Sequence, residues 1–144
     1  MKTAILRPVL IYGCEAWALT KPLKSRIQAA EMKVLRMIKG VTKRDRLKNQ
    51  AIREDVGVMS VLDLIEESKM RWYGHVMRME DERYPKRMLE WIPDARRPVG
   101  RPRARWMKGI EEALESRNTS LGEIQDGATY EDRAVWRNLT RICR

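Results

Sequence analysis

Apolar residues at helical spacing, with both ends marked, constrain this chain more than any other feature. Between Thr20 and Gly40, Leu23, Ile27, Ala30, Val34, Met37 and Ile38 recur at intervals of three and four, the repeat that lines one side of an α-helix. Thr20 is a good N-cap residue, Pro22 is tolerated in a first turn, and Gly40 is a stop. The polar side carries Lys24, Arg26, Lys33, Arg36 and Lys39, so basic charge is ordered along one element. Nowhere do apolar and polar residues alternate with period two for long, which excludes a half-buried sheet. The fold class that follows is all-α, in about six or seven short to medium helices.

The other segments carry similar punctuation. Ile5 to Trp17 is apolar enough for a buried helix despite Pro8, with a strand as the competing reading. Asp45 to Val56 predicts a shorter helix through Leu47, Ala51 and Ile52, ended by Gly57. Ser60 and Asp63 form a capping-box-like start for a longer helix, with Val61, Leu64, Ile65, Met70 or Trp72, and Val76 inward, and Glu66, Glu67, Lys69, Arg71 and Arg78 outward. Gly74 weakens that helix by about 1 kcal/mol relative to alanine unless close packing requires it. Tyr84-Pro85 opens a short helix through Lys86, Met88, Leu89 and Trp91, broken by Pro93. Pro102 predicts the first position of a helix through Trp106, Ile110, Ala113 and Leu114, with Glu111, Glu112 and Glu115 outward. Two short helices follow, one near Ser120 and one at Thr129, where Thr129 and Asp132 form a further box and Ala134, Val135, Leu139 and Ile142 supply the apolar side.

Between these helical units runs Arg96 to Trp106, a strip with five arginines and no acid. It cannot pack a core, but it can follow a phosphate backbone. The net charge of +10 is unevenly spread: +8 over residues 2–46, −2 over 47–95, +6 over 96–108 and −2 over the remainder. Two basic blocks alternating with mildly acidic ones point to a polyanionic partner, with an inert basic surface as the alternative. A chain of 144 residues suits one domain or two small helical units and needs no staples. Cys14 and Cys143 sit near opposite ends and form no ligand spacing with each other or with His75, the single histidine, so neither a disulfide framework nor a zinc site is expected. Arg7 and Pro8 cut the N-terminal apolar run short of a signal peptide or a membrane span. A nuclear or cytoplasmic protein, not secreted, is expected, in which the two glycosylation matches at Asn118 and Asn138 are chance.

Catalysis needs converging groups, and few are present. There is no His-Glu-x-x-His metal pair, no phosphate-cradling glycine loop and no Asp-Asp pair. Glu80-Asp81-Glu82 reads as a solvated helix end rather than a divalent-ion site, and Cys14 as a buried structural thiol. Neither a cofactor nor a metal is expected. On a helix His75 lies i+4 from Arg71 and i+3 from Trp72, a side that can touch a phosphate and a base; the alternative is that Trp72 and Val76 are core and the arginines flank it. In the strip, prolines limit backbone freedom, Gly100 permits close approach, and Arg97, Arg101 and Arg103 can project along a groove or backbone. Val99-Gly100-Arg101-Pro102-Arg103 looks like a minor-groove AT-hook, but valine stands where that motif has its first arginine. Specific A·T reading is therefore not expected; a solvated interhelical linker is the competing reading.

Several phrases in order resemble one family: Leu6-Arg7-Pro8-Val9-Leu10-Ile11-Tyr12-Gly13-Cys14-Glu15-Ala16-Trp17, then Arg44-Asp45-Arg46, Arg71-Trp72-Tyr73-Gly74-His75-Val76-Met77-Arg78-Met79, Pro85-Lys86-Arg87, and Gly100-Arg101-Pro102-Arg103-Ala104-Arg105-Trp106. The succession is similar to the C-terminal part of non-LTR (LINE-type) retrotransposon endonuclease-reverse transcriptases, from the thumb into the tail, over nearly the whole chain. The resemblance implies that residues 1–42 are a thumb-like helical segment gripping template and primer, 43–92 a helical tail unit, 93–101 a basic linker and 102–144 a C-terminal helical unit. It also implies that the palm aspartates and the endonuclease lie upstream of Met1, and the Cys-Cys-His-Cys knuckle of some relatives is absent. The chain is then expected to be a non-catalytic fragment that binds RNA, DNA or a hybrid duplex mainly through phosphates, with the missing polymerase domain as a further partner. The expected contact residues are Lys43, Arg44, Arg46, Arg71, Trp72, His75 and Arg78, and chiefly Arg96, Arg97, Arg101, Arg103 and Arg105. The alternative is a degenerate or host-domesticated helical module that binds protein through acidic faces around Glu66 and Glu111 and its tryptophans.

Overall fold

The computed structural model of the chain describes residues 2–91 and 105–141. Among them the chain is all-α: α1 (Lys2–Ile11), α2 (Lys21–Lys39), α3 (Asn49–Val56), α4 (Val61–Met77), α5 (Tyr84–Glu90), α6 (Trp106–Glu115), α7 (Leu121–Asp126) and α8 (Arg133–Thr140), with single 3-10 turns at Cys14–Ala16 and Lys43–Asp45. Most of these helices are shorter than the average length that underlies an expectation of six or seven, so there are more of them. By packing, the chain divides into two units, Met1–Ser68 and Lys69–Arg144, with α4 contributing to both. This is a different division from the one by composition and resemblance.

In the first unit residues 5–11 are helix rather than strand, with Pro8 inside α1, but the helix stops at Ile11 and a turn and one 3-10 turn lead to an extended Trp17. The helix is not buried throughout, since Val9 is 72% exposed and the following Tyr12 86%. Leu10, Ile11, Trp17, Leu19, Ile27 and Leu62 pack around buried Cys14, Val61 and Ile65, while Met32, Leu35 and Ile52 centre a second cluster with Ile38, Val41, Val56 and Val58. The buried thiol of Cys14 matches its structural reading.

The inward side of α2 is not quite the one its apolar pattern predicts. Met32, Leu35 and the carboxylate of Glu31 are buried, whereas Leu23 and Ala30 are exposed and Met37 is 72% exposed. Glu31 can point inward because cations and an amide meet it there. Arg53 donates from Nε at 3.2 Å and Nη2 at 2.8 Å, the Val61 N–H donates at 2.9 Å, and Arg7 Nη2 lies 3.8 Å away. Arg7 also donates to the Met59 carbonyl. Burying a charge costs several kcal/mol unless it is paired and hydrogen-bonded, and these partners supply that pairing. The Val61 N–H is one of the unsatisfied donors of α4, so Glu31 also caps that helix. Ser60 assists, its hydroxyl accepting from the Leu62 N–H. The predicted Ser60–Asp63 reciprocity is thus displaced by a carboxylate thirty residues away in sequence.

The second unit has one core of Met70, Tyr73, Met77, Ile110, Ala113, Leu114, Ile124 and Trp136. Close packing does require Gly74: a Cβ there would sit 2.5 Å from Cε2 and 2.6 Å from Cδ1 of Trp136. The indole of Trp136, in turn, donates its N–H to the Met70 carbonyl at 3.1 Å. Lys69, expected outward, is buried instead, with its Nζ 5.4 Å from the centroid of the Trp106 ring. Two helix starts differ from the sequence pattern. Arg105 is extended and holds the N-cap position of α6, which runs from Trp106; Pro102, expected as its first position, lies outside the described residues. The N-cap of α8 is Asp132, whose carboxylate accepts from Ala134 and Val135 N–H at 2.7 and 3.2 Å, in place of Thr129. Accordingly Trp136, Leu139 and Thr140 face the core while Ala134 and Val135 are exposed; Ile142 lies outside the described residues. The start near Ser120 is a full capping box with Glu123.

Candidate nucleic-acid interface

Lys43, Arg44 and Arg46 lie together on a turn built by its neighbours. Thr42 donates its N–H and hydroxyl to Asp45 Oδ2 at 2.6 and 3.0 Å, and its hydroxyl accepts from the Arg44 N–H at 3.3 Å. This is a capping box around one 3-10 turn, and it follows from threonine and aspartate three residues apart, a pattern the sequence reading passed over. Arg46 closes the turn in the left-handed region at φ 52°, its N–H reaching the Lys43 carbonyl. The bonds from Thr42 backbone and side chain hold the Asp45 carboxyl below its ordinary pKa. The acid inside the basic stretch is therefore committed to the backbone, while Lys43, Arg44 and Arg46 are all exposed.

The turn borders an open groove of about 820 Å³ along the outward side of α2, lined by Ala29, Lys33, Arg36, Met37, Val41 and Lys43 among others. Arg36 is steadied by the Asn49 side-chain carbonyl at 2.7 Å, and Lys39 pairs with Asp55 at 3.0 Å. Lys33 and Arg26 are exposed. Lys33 and Arg36 were visible as the basic side of α2 but were not singled out. What joins them to Lys43 is the reversal of the chain at Gly40, which takes the left-handed conformation at φ 72°.

The second expected group separates. Arg71 and His75 are exposed on α4, one turn apart. Trp72 is half-buried and packs edge-on against Trp106, ring centroids 5.1 Å apart. Arg78 donates to the Tyr130 carbonyl at 2.7 Å, and burial together with Arg133 lowers its pKa. Two of the four therefore face outward and two take part in packing. Of the strip, Arg105 is exposed, while Arg96, Arg97, Arg101 and Arg103 lie outside the described residues. Among the described residues no group of three His, Cys, Asp or Glu side chains gathers to hold a metal ion. None of their helices is long and apolar enough to cross a membrane.

With this geometry in hand, sequence similarity adds a direction. The chain is 32% identical over 144 aligned residues to an uncharacterized transposon-derived protein of Caenorhabditis elegans. The match takes in 96% of this chain and 52% of the relative, so the chain spans about half of that protein's length. This similarity supports a transposon origin. No protein-family profile matches the chain, and no solved structure matches it.

Proposed function

We propose that this chain is a non-catalytic nucleic-acid-binding segment of a transposon-derived protein, of the non-LTR reverse-transcriptase kind that its sequence resembles. Its role is to hold template and primer, or target DNA, for a polymerase domain encoded elsewhere in such a protein. The observation that carries the reading is the capped turn at Thr42–Arg46, which presents Lys43, Arg44 and Arg46 beside the groove lined by Lys33 and Arg36. Similarity to a transposon-derived protein and the absence of an Asp-Asp pair from the sequence support it.

Exposed cations on a capped turn and along a helix suit phosphates, which attract by charge and carry no base identity. Binding is then expected to be strong in low salt and weakly selective for sequence. Each phosphate neutralised contributes about −0.9 to the slope of log affinity against log salt on duplex DNA. The test is anisotropy of labelled duplex DNA, RNA and RNA–DNA hybrid with the full chain across a salt series. Replacing Lys43, Arg44 and Arg46 together by glutamate is expected to flatten the slope by about two to three units, as is replacing Arg97, Arg101 and Arg103. Affinity that ignores salt, or that survives both triple replacements, refutes the proposal.

A further inference from the structure

Single exposed apolar side chains are ordinary on a soluble surface. On α5 they are concentrated. Tyr84 is 78% exposed, Met88 69% and Trp91, directly after the helix, 64%. Their i, i+4, i+7 spacing sets them on one side. The opposite side ties the helix down: Leu89 packs against the core of the second unit, and Lys86 reaches the Met79 carbonyl at 3.2 Å and Asp81 at 2.6 Å. The hydrogen bond to Asp81 raises the pKa of Lys86.

Arg87 shares the aromatic side, its guanidinium 5.9 Å from the centroid of the Tyr84 ring, and Arg83 stands exposed one turn earlier. Glu90, three residues after Arg87, borders this side. Two aromatic rings interleaved with guanidinium groups combine base stacking with phosphate pairing. A purely apolar protein surface would offer those guanidinium groups no counter-charge, whereas a polyanion with planar bases complements both. In a duplex the base faces are covered by their neighbours, so the rings can stack only on unpaired bases. Tyr84 and Trp91 are about 10 Å apart along the helix direction, a length that takes two or three bases at roughly 3.4 Å each.

We propose that the Tyr84–Met88–Trp91 side of α5 is a stacking platform for the unpaired bases of single-stranded nucleic acid, with Arg83 and Arg87 on its phosphates. The proposal rests on the nucleic-acid-binding reading above but uses other residues and another strand state. The test compares labelled oligo(dT) and oligo(U) with a blunt duplex of equal length, all against the full chain at one salt concentration. Changing Tyr84→Ala and Trp91→Ala together is expected to weaken single-strand binding at least about tenfold, while duplex binding moves less than about twofold. The paired changes Tyr84→Phe and Trp91→Phe keep the rings and are expected to stay within about threefold of the native chain.

Unchanged single-strand affinity in the double alanine variant, or equal loss on both strand states, overturns the platform. In either case, duplex binding that still falls on replacing Lys43, Arg44 and Arg46 leaves the broader reading standing. A protein partner whose capture depends on Tyr84 and Trp91, with oligonucleotide affinity unaltered, also overturns it. No binding of the native chain to any oligonucleotide overturns both readings.

Discussion

Gly74→Ala sets two effects of opposite sign against each other. On a bare helix the change would stabilise by about 1 kcal/mol, because glycine is the weaker helix former. In α4 the new methyl meets the Trp136 indole, with Cε2 at 2.5 Å, Cδ1 at 2.6 Å and Nε1 among its nearest neighbours, well inside any real carbon contact. Trp136 is 3% exposed and sits amid the core of the second unit, so it has little room to retreat. Overpacking a filled core costs about 1–3 kcal/mol. Moving the indole also breaks its bond to the Met70 carbonyl and strands a buried donor, for about 1–3 kcal/mol more. After the helical gain is subtracted, a net loss of about 1–5 kcal/mol, centred near 3, is expected. The assay is urea unfolding followed by near-ultraviolet circular dichroism, which reports the packing of Trp72, Trp106 and Trp136. In a Trp136→Leu background the clash is removed, and the same change is expected to be neutral or to stabilise by up to about 1 kcal/mol. Equal cost in both backgrounds, or a stabilised Gly74→Ala in the native one, would refute the packing argument.

Glu31→Ala leaves Arg53 and Arg7 without their shared carboxylate and uncaps α4 at Val61, for a loss of about 3–5 kcal/mol. Tryptophan fluorescence during denaturation reads it through the change between the native and Glu31→Ala chains, Trp17 being the first unit's single tryptophan. A cost under about 1 kcal/mol would show that the buried pair is dispensable. Arg78 and Arg71 are expected to part company: Arg78→Met loses the Tyr130 bond and about 1–2 kcal/mol of stability, whereas Arg71→Gln leaves stability within about 0.5 kcal/mol and flattens the salt slope by about one unit. Because Thr42 lowers the Asp45 pKa in the folded chain, the bond stabilises the turn above the ordinary carboxyl value of 3.8 and is lost as pH falls through the lowered one. An NMR titration is expected to show the Thr42 amide shifting with a midpoint below pH 3.8, and Asp45→Asn to abolish the transition; a midpoint above that pH would contradict the assignment.

The elements were largely legible because helix ends are local. Pro22 in a first turn, Gly40 and Gly57 in left-handed conformation, and Ser120 as a cap need only a few residues of context. The charge on α2 and around residue 44 could be read for the same reason, since it needs no partner in order to exist. Which side of each helix turns inward was another matter. Glu31 counts as polar in any periodic pattern, and only the arrival of Arg53 from α3 and of the α4 amide makes its burial tolerable. Lys69 and Trp106, Gly74 and Trp136, and Arg78 and Tyr130 are likewise pairs separated by tens of residues. Sequence periodicity can say that a residue lies on a stripe, but the energy of burying it depends on what stands opposite. Local order therefore lay in the chain's own alphabet of caps and spacings. The division of the cations into those that hold the fold and those left facing solvent waited on long-range contact.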